Sequence, residues 1–262
     1  MNQHINLVRC NYTLKNTMAC ISKISLKNIF CILTCNAVGI LLFLSWYLPE
    51  NHGFWFIVDK NIFYFFNHLV AESKAFLYFV AFTNFRAFDA VAFLFMLFIF
   101  LYYFFRQDAP GKRRMFCMGV AMLFGVILVK LADGRLDINR LSASAYFDSI
   151  HEPVNFVSQM TGWHVKDRSG TSFPGDHGMM LLIFTSFMGK YFGRRAFFTS
   201  LLVFIIFSLP RIMSGAHWFT DIAVGSVSIV LVVMSWVLLT PFSDRMIQYL
   251  ESKLPLSFFE KI

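Results

Sequence analysis

Apolar runs long enough to cross a bilayer constrain this chain more than any other feature. A helical crossing takes roughly 17 to 25 predominantly apolar residues. Runs of about that length recur near residues 29–48, 88–105, 115–132, 177–192, 196–212 and 220–240. They are continuous rather than alternating, so the expected fold is an all-α polytopic membrane protein and not a β-barrel. Hydrophobic residues make up 57% of the 262 positions, more apolar surface than a soluble core of this size would absorb.

The formal charge of +8 would suit a nucleic-acid binder, but the basic residues do not form one patch. They sit in short segments between the apolar runs. Arg9, Lys15, Lys23 and Lys27 precede the first run. Arg106, Lys112, Arg113 and Arg114 follow the second, Lys190, Arg194 and Arg195 follow the fourth, and Arg245, Lys253 and Lys261 close the chain. These basic segments alternate with 49–87, 133–176 and 211–219. The positive-inside rule puts the basic set in the cytoplasm. Six spans with both termini inside follow: a cytoplasmic segment 1–28, a membrane domain 29–241 and a cytoplasmic tail 242–262. Met18 offers an alternative start, and no small-residue cleavage site follows the first run, which reads as an uncleaved anchor.

Residues 49–87 interleave aromatic residues with charged ones, as in amphipathic helices lying in the membrane interface. His52 and His68 belong to that interface, and His151 and His164 to a solvated loop. The five cysteines (Cys10, Cys20, Cys31, Cys35 and Cys117) fall on or near the cytoplasmic side, which argues against a disulfide framework. The Cys31 and Cys35 pair reads as small apolar residues in a helix rather than as metal ligands.

The chemistry gathers between residues 172 and 221. Two apolar runs and one basic turn separate His177 from Arg211. An even number of crossings returns the chain to the same face, so SFPGDH and PRIMSGAHWFTD meet there, away from the cytoplasm. His217 and Asp221 are four apart, which on a helix places them a turn apart on one face. A carboxylate so placed can hold one imidazole nitrogen and leave the other free to attack. Arg211 offers a guanidinium fork that matches phosphate oxygens. His177 opens a helix, where free N–H groups and partial positive charge favour an anion, and could protonate a departing phosphate oxygen. Asp176 caps that helix or tunes His177, and Ser172 donates to phosphate or shapes the loop.

Together these residues resemble the type 2 phosphatidic acid phosphatase superfamily. Its third motif, Ser-Arg-x5-His-x3-Asp, corresponds to Pro210, Arg211, His217 and Asp221. Its second, Pro-Ser-Gly-His, corresponds to Pro174, Gly175, Asp176 and His177. The resemblance implies that His217 is the nucleophile, Asp221 its partner and His177 the general acid. It also implies that Arg211, Arg140, Lys130, Ser172, Gly175 and Asp176 lie around the phosphate. No cofactor or metal is implied. The first motif, Lys-x6-Arg-Pro, is degraded: Leu141 follows Arg140 where proline is expected, Lys130 lies too far upstream for the spacing, and Arg135 rivals Arg140. SFPGDHGMMLLIF, GAHWFTD, FLSWYLP with NHGFW, and WVLLTP with SDR are similar to the inner-membrane branch that phosphorylates lipid A 1-phosphate. That likeness implies two lipid substrates, undecaprenyl pyrophosphate as donor and lipid A as acceptor. If water were the acceptor, the enzyme would be an undecaprenyl pyrophosphate phosphatase or a lipid A 1-phosphatase. A non-catalytic lipid-binding or transport protein is the reading from another class.

Overall fold

The computed structural model describes residues 24–85 and 87–261. The expectations for 1–23, including the alternative start and most of the N-terminal basic segment, fall outside them. The described chain is helical, with no strand beyond an isolated bridge between Phe85 and Val165.

Among the described residues, four helices are long and apolar enough to cross a membrane: α1 (Leu26–Tyr47), α5 (Ala109–Asp133), α9 (Arg194–Met213) and the stretch Asp221–Leu239. The last begins as a π-helical turn (Asp221–Ser226) and continues as α10 (Val227–Leu239). The other two expected spans form α4 (Phe88–Phe104) and α8 (Asp176–Phe192), each of 17 residues. At 1.5 Å per residue that is about 25 Å, short of a full hydrocarbon core. Gly193 ends α8 at φ +82. α8 buries Met179, Leu181, Ile183, Phe184, Phe187 and Met188 against α5, α9 and α10, so protein surrounds much of it.

The sequence reading starts the third span at 115, but α5 begins six residues earlier. Asp108 caps it by accepting from the Gly111 N–H at 2.9 Å, and Pro110 sits in the first turn, where no N–H is needed. The charged first turn GKRR hides this start from an apolarity scan. The segment 49–87 folds as α2 (Gly53–Glu72) and α3 (Lys74–Thr83), and 133–176 holds two short helices, α6 (Ala143–Ser149) and α7 (Val157–Thr161). The tail forms α11 (Phe242–Lys253), which buries Ile247 in the cluster shared with α5.

The long helices alternate in direction, so α1, α5 and α9 end where α4, α8 and the π turn begin. Their outward faces are apolar: Phe30 and Leu41 of α1, Phe98 of α4, Leu123 of α5 and Phe198 of α9 are all exposed. A broad exposed apolar surface of this kind suits lipid rather than water. α1 lies close on α10 because Gly39 has no side chain. A Cβ there would stand 2.9 Å from the Ser228 carbonyl oxygen and 2.9 Å from Val232. Beside it, Asn36 donates to Ser235 Oγ at 3.0 Å and accepts from Trp236 Nε1 at 3.1 Å, so these polar groups satisfy one another.

Candidate active site

The loop after α9 carries His217. Gly215 takes the turn at φ +75, and the His217 N–H donates to the Arg211 carbonyl at 3.1 Å. The His217 ring is buried. Its Nδ1 lies 2.9 Å from the Ser172 carbonyl oxygen and 3.3 Å from Asp221 Oδ2. Both partners can only accept, so their chemistry assigns the proton to Nδ1 and leaves the Nε2 lone pair to attack. Asp221 is fully buried, and its Oδ2 also accepts from the Trp218 N–H at 2.8 Å.

Asp221 opens the π turn, where the wider winding lets its carbonyl be used elsewhere. That carbonyl accepts the Gly175 N–H at 3.0 Å and Ser226 Oγ at 3.2 Å, and Ser226 Oγ also donates to the Gly175 carbonyl at 2.7 Å. The residues ahead of α8 are thus fastened to the start of α10 largely through main chain. A Cβ on Gly175 would meet Ile222 at 2.9 Å and Ser226 Oγ at 3.2 Å. There is no room at this position for the serine of the resembled second motif.

His177 and Arg211 come together through a residue that sequence reasoning missed. Asp89, in the first turn of α4, places Oδ1 3.1 Å from His177 Nε2, and the same oxygen accepts from Arg211 Nη2. Arg211 is buried, and its Nη1 reaches Asn84 Oδ1 at 3.4 Å. Asn84 is itself fully buried and donates to the Pro210 carbonyl at 2.9 Å. A single carboxylate oxygen therefore bridges the group expected to hold phosphate and the group expected to protonate the leaving oxygen.

Arg140 is engaged by two carboxylates. It is buried, with Nη2 on Asp59 Oδ2 at 2.8 Å and Nη1 on Asp221 Oδ1 at 2.7 Å and Thr220 Oγ1 at 2.8 Å. Its guanidinium carbon lies 5.1 Å from the Trp46 ring centre and 4.7 Å from that of Trp218. Arg135, its rival, is exposed. Ser172 makes the loop-shaping contacts of its second expected role: its hydroxyl is buried and donates to the Arg140 and Leu141 carbonyls, both at 3.3 Å, while its own carbonyl serves His217. Asp176 does not cap α8. Gly175 holds the N-cap position without a side-chain bond, and Asp176 is exposed at the first turn, paired with Lys130. Lys130 also reaches Asp133 at 3.3 Å, so its ammonium sits at the rim of α8 between two carboxylates.

The missed residues, Asp59 and Asp89, had one available signal: each is an acid within a strongly apolar, aromatic stretch. His52 stacks on Trp46 at 4.1 Å and its Nδ1 lies 3.1 Å from the Trp46 carbonyl oxygen. Burial holds its basicity below the usual histidine range. His68, His151 and His164 are exposed. Among the described residues, no group of three or more His, Cys, Asp or Glu side chains is arranged to hold a metal ion. Cys31, Cys35 and Cys117 are free thiols.

Two comparisons with known proteins found a match. A family model described as PAP2 superfamily matches residues 145–244, which takes in His177, Arg211, His217 and Asp221. Lipid A 1-diphosphate synthase of Escherichia coli (strain K12) is 48% identical over 231 residues, covering 88% of this chain and 96% of that protein. No solved structure matches the chain.

Proposed function

Because the chain belongs to the PAP2 superfamily, we propose that it is an inner-membrane phosphotransferase that makes lipid A 1-diphosphate, taking phosphate from undecaprenyl pyrophosphate. The observation that carries the reading is the His217 ring: Nδ1 is engaged by the Ser172 carbonyl and Asp221, and Nε2 is free at the helix ends that also present Arg211 and His177.

In the first step the Nε2 lone pair attacks the terminal phosphorus of the donor. A P–N bond forms as the P–O bond to the bridging oxygen breaks. Arg211 steadies the oxygens of the transferring group, together with the free N–H groups at the start of α8. His177 gives its proton to the departing oxygen, releasing undecaprenyl phosphate. In the second step a phosphate hydroxyl of lipid A 1-phosphate gives its proton to His177 as its oxygen attacks the same phosphorus, the P–N bond breaks, and its electron pair returns to Nε2. Asp221 balances the positive charge carried by the ring while the phosphoryl group is attached. The six helices α1, α4, α5, α8, α9 and Asp221–Leu239 all cross the membrane in this reading, and the reaction centre faces the periplasm. The shortness of α4 and α8 is compatible with crossing because protein and local bilayer thinning take up the difference.

The test is transfer from donor labelled on its terminal phosphate, using purified protein in detergent with and without lipid A. Label is expected on lipid A, and His217→Ala is expected to lose transfer by several orders of magnitude. Label released as free phosphate irrespective of lipid A would make the chain a phosphatase. No turnover of wild type under either condition would favour a lipid-binding or transport role.

A further inference from the structure

Asp59 lies on α2, far from every motif residue in sequence, yet its carboxylate is wholly enclosed at the site. Oδ2 accepts from Arg140 Nη2 at 2.8 Å and from Thr220 Oγ1 at 2.5 Å, and Oδ1 accepts the Thr220 N–H at 3.0 Å. Arg140 carries the contact onward to Asp221 Oδ1, and Asp221 Oδ2 holds His217. Four side chains thus run in series from α2 to the nucleophile: carboxylate, guanidinium, carboxylate, imidazole.

Such a series is costly as architecture. Enclosing two carboxylates and a guanidinium forfeits their hydration, and well-packed apolar side chains of similar volume are often as stable or more so. Its effect on charge suggests why it is present. Arg140 alone would neutralise Asp221 and leave nothing to balance the positive charge that grows on His217 when Nε2 is phosphorylated. Asp59 offsets Arg140, so the three groups together keep one net negative charge beside the ring. Thr220, adjacent to Asp221 in the chain, binds Asp59 through both its N–H and its hydroxyl, fixing that offset next to the nucleophile's partner.

We infer that Asp59 is a positioning residue of the reaction: through Arg140 it keeps Asp221 oriented and electrostatically available to His217. On this view Arg140 orients Asp221 instead of gripping the transferring phosphate. The inference rests on His217 being the nucleophile.

The charged and titratable groups described at this end of the bundle are Asp221 on the segment of His217, Arg140 ahead of α6, Asp59 on α2, His52 before α2, Arg211 on α9, His177 and Asp176 on α8, Asp89 on α4, and Lys130 and Asp133 on α5. The test reads the acid limb of the pH profile of kcat/KM, where activity fails as the nucleophile takes up a proton. Removing the negative charge of residue 59 disfavours the protonated ring, so Asp59→Asn is expected to move that limb about one unit toward lower pH. kcat is expected to fall at least tenfold, with KM for the donor little changed. The double variant Asp59→Asn with Arg140→Gln deletes both members of the ion pair and leaves Asp221 with its full charge. It is expected to return the limb to the wild-type position, which loss of packing would not do.

A folded Asp59→Asn protein with an unmoved limb would overturn the inference. If the single variant does not fold, Arg140→Gln alone decides: with the charge of Asp59 no longer offset, the limb is expected to move toward higher pH, and an unmoved limb overturns the inference. Wild type failing to turn over the lipid pyrophosphate would count against the proposed function itself. An active enzyme with an insensitive limb would count only against the role of Asp59.

Discussion

Asp89 occupies a position that substrate must contest. Its Oδ1 lies between His177 Nε2 and Arg211 Nη2, where a phosphoryl oxygen would be expected to bind. Asp89→Asn is predicted to lower KM, because Arg211 no longer has a competing carboxylate. It is also predicted to lower kcat by roughly tenfold to a hundredfold, because His177 loses the partner that orients its proton. Steady-state kinetics on the labelled donor separates the two effects, and a rise in KM would instead put Asp89 among the groups that help bind the donor. Legibility differs sharply between these residues. His217 and Asp221 could be paired from spacing alone, because one turn of chain sets their distance. Asp59 and Asp89 could not: Asp59 meets Arg140 across 81 positions and Arg211 meets Asp89 across 122. Arg140 was legible as a candidate, but its partners were not. Only the fold shows that two carboxylates already engage its terminal nitrogens.

At the level of elements, the site depends on α8 lying hard against the π turn. Gly178 makes this possible: a Cβ there would stand 2.8 Å from Ser226 Oγ and 3.2 Å from Ile222 Cγ2. Ser226 cannot readily move, since its hydroxyl is bound to the Gly175 and Asp221 carbonyls. Gly178→Ala is therefore predicted to destabilise the fold by about 1–3 kcal/mol and to lower kcat as α8 is pushed away. Thermal unfolding in detergent measures the first effect. Gly170→Ala serves as the control, because a Cβ at 170 would touch nothing within 4 Å and should leave the melting temperature in place. Apolar runs located α1, α4, α5, α8, α9 and the stretch Asp221–Leu239, but their ends were less readable. Helix α5 starts in a charged turn fixed by the Asp108 cap. The π winding at Asp221 leaves no mark in an apolarity pattern, and its contacts are with Gly175, far away in sequence.

For the whole molecule, charge and architecture make the same prediction about orientation. Arg106, Lys112, Arg113, Arg114, Lys190, Arg194 and Arg195 all lie at the end of the bundle opposite His217. In a cysteine-free background, a cysteine replacing the exposed Asp148 is predicted to react with an impermeant thiol reagent when applied to cells whose outer membrane alone is opened. A cysteine replacing the exposed Arg195 should react only after the inner membrane is breached. The reverse pattern would invert the proposed topology. The alternating helices gather the reactive groups at one end of the bundle, and this has a logistical consequence. Donor and acceptor headgroups must both stand in the same leaflet when they meet the enzyme, and the spent monophosphate carrier is left there. If that end faces the periplasm, as proposed, moving lipid A outward beforehand and returning the carrier inward afterwards are tasks for separate transport machinery, so supply and recycling across the bilayer can limit flux as firmly as the chemistry does.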